Sequence, residues 1–168
     1  MALATMRHRA VIRYGLQVGM QQGRIVIPTA VVPGVVDRSQ DALDQQFRRA
    51  VFNIVGRNQD DHVKNIAFLM DPTGAWRLAP AFDIAYAYNP AGDWTSRHQM
   101  SLAGLRDDFT LESLIEGGRS AGVSARTVRS MVSEVSDAIG QWRAIATDVE
   151  VPPDFIDDIE AHLRLDIR

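Results

Sequence analysis

The feature that most constrains this chain is residues 57–84, RNQDDHVKNIAFLMDPTGAWRLAPAFDI, where a predicted β-hairpin is bracketed by chemistry-bearing side chains. Residues 66–70 and 75–78 are rich in strand-forming types and flank Asp71-Pro72-Thr73-Gly74, a β-turn sequence. A hairpin brings its two ends together. Asp60 and Asn65 lie on the loop entering it and Asp83 on the segment leaving it, so one short stretch can assemble a cleft by itself.

The order of these residues is as informative as their types. Phosphoryl transfer in protein kinases uses an Asp that accepts a hydroxyl proton, an Asn five residues later, and a further Asp beyond a hairpin. Mg²⁺ is a hard cation that takes oxygen ligands, and an asparagine carbonyl with a carboxylate supplies them. Read alone, Asp60 and Asp61 fit an exposed acidic turn. Asn65 and Asp83 at their spacings turn the reading toward a phosphoryl-transfer site.

At these residues the chain resembles the HipA-like serine/threonine kinase toxins, in which a DDHxKN-type loop is followed by a W-R-L-x-P-x-[FY]-D-[IV] segment. The anchors are Phe52-Asn53, Asp60-Asp61-His62, Lys64-Asn65, Trp76-Arg77-Leu78, Pro80 and Asp83. The resemblance implies that Asp60 is the catalytic base, with His62 and Lys64 beside it on the catalytic loop. It implies that Asn65 and Asp83 are the Mg²⁺ ligands through which ATP is held. It also implies a protein serine or threonine as substrate, and a helix-turn-helix antitoxin as partner. The fold expected is mostly α with a small β-hairpin, a kinase-like large lobe over 41–168, with 1–40 unmatched.

A kinase also needs a glycine-rich loop and a lysine on the nucleotide phosphates. Lys64 is the only lysine, and it sits inside the catalytic loop. Gly15, Gly19 and Gly23 recur every fourth residue, which is neither phosphate-loop pattern; they read as turns around a short strand at 24–27. The expectation is therefore a truncated kinase whose N-terminal lobe is missing. The alternatives are a non-catalytic remnant or split subunit that binds a partner, such as a separate N-terminal lobe, and a metal-dependent phosphohydrolase built on Asp60, Asp61, His62 and Asp83 with an activated water. The last would need a second histidine, for which His98 is the candidate.

Around this centre, apolar residues at Leu43, Phe47, Val51, Ile54 and Val55 predict an amphipathic helix over 41–55 that delivers Asp60. Tyr86, Tyr88 and Trp94 are candidates for substrate contact or for packing, ahead of a strand near 98–102. The C-terminal third reads as helical. Thr110 opens one helix, with a break at Gly117-Gly118. Ser124 caps a long one whose stripe runs Val128, Met131, Val132, Val135, Ile139, Trp142, Ile145. Pro152-Pro153 opens a last helix burying Phe155, Ile156, Ile159 and Leu163. The absence of cysteine fits a cytoplasmic setting, no apolar run reaches membrane-spanning length, and a net charge of −3 argues against a basic nucleic-acid face.

Overall fold

The computed structural model describes residues 11–12 and 39–167; the glycine-spaced segment and the strand expected at 24–27 lie outside them. The first helix, α1 (Gln40–Val55), starts where the Ser39 hydroxyl accepts from Ala42 N at 3.2 Å. Its buried residues Phe47, Val51, Ile54 and Val55 recur at helical spacing and face the core.

The end of α1 is what aims the candidate loop. Gly56 N bonds Phe52 O at 2.8 Å, Arg57 turns left-handed at φ 57°, and Asn58 N reaches back to Asn53 O at 2.9 Å. This six-to-one closure normally places glycine where Arg57 stands. Arg57 holds the strained conformation through its side chain, donating from Nε to His162 O at 2.7 Å and lying 4.3 Å over the Tyr88 ring. The chain leaves the helix into Asn58 and Gln59, both buried.

Beyond the loop, β2 (Phe68–Met70) and β3 (Trp76–Leu78) form the expected antiparallel hairpin, with Phe68 opposite Leu78 and Met70 opposite Trp76. A short strand that the sequence pattern had not indicated, β1 (Val11–Ile12), pairs with β2 on its other side. The strands are shorter than 66–70 and 75–78. Ile66 N is used to close a 3-10 turn over Val63–Asn65, and the Asp71 carboxylate takes Ala75 N into the β-turn at 3.0 Å.

The remainder is helical, as expected: α2 (Leu111–Ser120), α3 (Ala125–Ile139), α4 (Trp142–Asp148) and α5 (Pro153–His162). α3 packs against both α1 and α2, and α4 against α5. Thr110 and Ser113 form a reciprocal capping box at the start of α2. Four expectations are corrected. Gly117 and Gly118 do not break α2 but let it approach its neighbours; a Cβ at Gly118 would stand 2.4 Å from Val128 Cγ2, and one at Gly117 2.6 Å from Leu102 Cδ1. The long helix from Ser124 ends at Gly140, and the chain restarts as α4 with Ala146 rather than Ile145 turned inward. On α5 Ile156 is buried, whereas Phe155 is 63% exposed. Near residues 98–102 the strand reduces to a bridge between Leu102 and Leu105.

Among the described residues no helix is long and apolar enough to cross a membrane.

Candidate functional site

One solvent-open cleft of about 630 Å³ lies between α1, the loop entering the hairpin and the segment leaving it. His62, Asn65 and Asp83 all line it, so the hairpin brings together three residues that are 21 positions apart at their extremes. Asp60 and Lys64 do not line it. Asp60 stands at the rim, its carboxylate half exposed and 3.9 Å from His62 Nε2. Lys64 is exposed and makes no ion pair among the described residues, so it neutralises no carboxylate of the loop.

The backbone fixes which atom of Asn65 faces Asp60. Its Nδ2 donates to Asp60 O at 3.0 Å, and a carbonyl oxygen can only accept. The amide is thereby locked with Oδ1 pointing away from Asp60, available as an oxygen ligand. Asp83 is held differently. It adopts φ 56°, a left-handed conformation that Asp tolerates better than most residues, and Asn58 Nδ2 holds its carbonyl at 3.3 Å. Its backbone is thus fastened to the end of α1 while the side chain stays exposed.

These residues fit a hard divalent cation in chemical type, since Asn65 offers an amide oxygen and Asp83 a carboxylate, and both residues line the same cleft. Among the described residues no group of three or more His, Cys, Asp or Glu side chains is placed to hold a metal.

Two arrangements were missed in the sequence. The first is a buried pair. Asp61, only 8% exposed, accepts from His98 Nδ1 at 2.9 Å, from Gln99 N at 2.7 Å and from Met100 N at 3.2 Å. His98 is fully buried, edge-on to Phe109, with Arg164 Nη1 3.4 Å from Nε2. Burial, and then the neighbouring Arg57, push the Arg164 guanidinium down to about 10, so it remains a charged donor at neutral pH. Since arginine cannot accept, Nε2 is the acceptor and the imidazole proton sits on Nδ1, facing Asp61. His98 is therefore spent on clamping the loop and is not free to ligate a metal. The only sequence signal was its spacing behind the Tyr86–Trp94 loop, which carries no periodicity.

The second is the cleft-facing side of α1, where Gln46, Arg49, Ala50 and Asn53 recur at three- and four-residue steps. Arg49 Nη2 donates to Ala79 O at 2.6 Å, tying the helix to the end of β3. The helical spacing of these polar residues, next to the apolar stripe, was the available signal.

Of the aromatic candidates, Tyr88 packs against His162 at a ring separation of 5.0 Å and under Arg57, while Trp94 is 73% exposed. Gln59 is buried with its amide donating to Thr95 O at 2.7 Å and accepting from Arg57 Nη1 at 3.2 Å, in the orientation that satisfies both. Arg77 is exposed and makes no ion pair among the described residues.

Compared with known proteins, residues 25–142 match the family model described as HipA-like C-terminal domain. No curated protein matches the chain.

Proposed function

The chain belongs to the HipA-like C-terminal domain family, and from that premise we propose that its cleft is the metal- and acceptor-binding side of a serine/threonine protein kinase site in a kinase-like lobe. The observation that carries the proposal is the Asn65 amide, whose Nδ2 is spent on Asp60 O and leaves Oδ1 as an oxygen ligand, in a cleft that Asp83 also lines. Asn65 and Asp83 would hold Mg²⁺. When bound with ATP, the ion supplies charge neutralisation on the transferring phosphate. Asp60, half exposed at the rim, orients a protein serine or threonine hydroxyl and accepts its proton. His62, 3.9 Å away, sits where it can hold that carboxylate in place. Lys64, exposed and without an acid partner among the described residues, is available to the incoming protein or its phosphate. By family, the setting is a toxin–antitoxin pair with a helix-turn-helix antitoxin as partner.

The phosphohydrolase reading loses its second histidine, because His98 is buried against Asp61. The reading as a partner-binding subunit shares the cleft and differs in whether transfer occurs. The test is transfer of labelled γ-phosphate from Mg-ATP to serine- and threonine-containing protein acceptors, with Asp60→Asn as control. Label in the acceptor that disappears in Asp60→Asn supports the proposal. Phosphate released from a phosphoprotein without ATP, and lost in Asp83→Asn, would replace it with the hydrolase.

A further inference from the structure

The cleft is lined by residues that can supply oxygen ligands and by residues of α1 that carry spare N–H donors. Asn65, with its Nδ2 used on Asp60 O, and Asp83 line the cleft. Among the described residues Arg49, on α1, is the only lysine or arginine in the lining, and it has no carboxylate partner there. Arg48, its neighbour in sequence, pairs with Glu134, Arg119 with Glu116 and Arg143 with Asp157 and Glu160, while Arg57 and Arg164 share Asp107. A single bond to Ala79 O uses one of the five N–H donors of the Arg49 guanidinium. Burial lowers its basicity with no nearby acid to offset the effect.

Asn53, one turn further along the same face, is oriented by a chain of obligatory roles. Asp83 O can only accept, so Asn58 turns Nδ2 toward it; the same Nδ2 lies 3.0 Å from Asn53, which must therefore answer with Oδ1. The Nδ2 of Asn53 is left as a free pair of donors.

We propose that Arg49 and Asn53 form an anion subsite on the α1 side of the cleft that takes a phosphate group, in the same cleft as Asn65 and Asp83. The chemistry of the subsite stands on these donors; it rests on the phosphoryl-transfer reading only for which molecule carries the phosphate. A planar guanidinium and a carboxamide one turn apart offer two directions of N–H to the oxygens of one phosphate. In a chain whose only lysine is Lys64, this places an arginine on the α1 side of the cleft.

The experiment is calorimetric titration of the full chain with pyrophosphate and, separately, with O-phosphoserine, both in EDTA, and then with Mg-ATP. The variants are Arg49→Met, Asn53→Asp and Asp83→Asn. Asn53→Asp keeps the oxygen that Asn58 donates to, so it guards against loss of fold, which is checked by thermal melting. Wild type binds at least one metal-free phosphate ligand, and Arg49→Met and Asn53→Asp each weaken it by about tenfold or more, the loss of a charge-assisted hydrogen bond. Pyrophosphate preferred over phosphoserine assigns the phosphate to the donor nucleotide, and the reverse assigns it to the phosphorylated acceptor. Binding of neither ligand, or equal binding by wild type and both α1 variants, overturns the subsite. Mg-ATP binding lost in Asp83→Asn but unchanged in both α1 variants also overturns it and leaves the kinase reading standing. Arg49-dependent pyrophosphate binding without any Mg-ATP binding keeps the subsite and removes the kinase reading.

Discussion

Replacing Asp61 by alanine should be the most damaging single change in the loop, although Asp61 is assigned no chemistry. Its carboxylate is 8% exposed and accepts three hydrogen bonds, two from the backbone of residues 99 and 100 and one from buried His98. Alanine strands all three donors, one on fully buried His98 and two on the half-buried backbone of residues 99 and 100. Each orphaned donor costs roughly 1–3 kcal/mol, and because the three share one acceptor the losses do not add fully, giving about 3–5 kcal/mol. Asp61→Asn should cost less, roughly 1–3 kcal/mol. It keeps an oxygen for the two backbone N–H groups, but its amide N–H₂ forces His98 to accept at Nδ1 and to turn an N–H toward Arg164, donor against donor. Urea denaturation of the three proteins measures this directly. An Asp61→Ala midpoint within experimental error of wild type, at unchanged slope, would refute the claim that this buried carboxylate fastens the loop. The ¹⁵N shifts of His98 give an independent check, with Nδ1 protonated in wild type.

Other outcomes follow from the same geometry. Gly118→Ala should lower stability by about 1–3 kcal/mol through overpacking against Val128, read as a lower urea midpoint. Asn58→Ala strips a shared donor from Asn53 and Asp83 at a position 3% exposed, and should cost roughly 1–3 kcal/mol while loosening Asp83 without altering any proposed ligand. The Thr73 hydroxyl, then the backbone N–H groups of Ala75 and Thr73, hold the Asp71 carboxyl below its ordinary range. A depressed folded value means that its contribution to the hairpin turn is complete above about pH 4 and is lost as pH falls through that lower value. Amide shifts of residues 71–75 followed down in pH should move only below the usual carboxylate range, and Asp71→Asn should abolish the transition.

The sequence exposed what is local and periodic. The hairpin was legible because a turn tetrad separates two short strand-forming runs, and α1 because its apolar residues keep a helical step from Phe47 to Val55. Asn65 and Asp83 were legible as a pair because a hairpin necessarily joins its own ends. What could not be read depends on contacts between distant segments. The clamp of Asp61 on His98 spans 37 residues, and nothing in either neighbourhood signals the other. Gly117 and Gly118 read as helix breakers because propensity disfavours them, yet close packing on Leu102 and Val128 outweighs propensity. The exposure of Ile145 follows from the restart of the helix after Gly140, which shifts the inward face onto Ala146.

The central claim is that Asn65 and Asp83 hold a metal–nucleotide. Calorimetry of ATP binding with and without Mg²⁺, comparing wild type with Asp83→Asn, tests it most directly, because Asn tolerates the left-handed backbone at this position and changes only the charge. The account predicts saturable, Mg²⁺-dependent binding by wild type and its loss in Asp83→Asn at unchanged melting temperature. Mg²⁺-dependent binding that survives the substitution, or no binding by wild type, would contradict it.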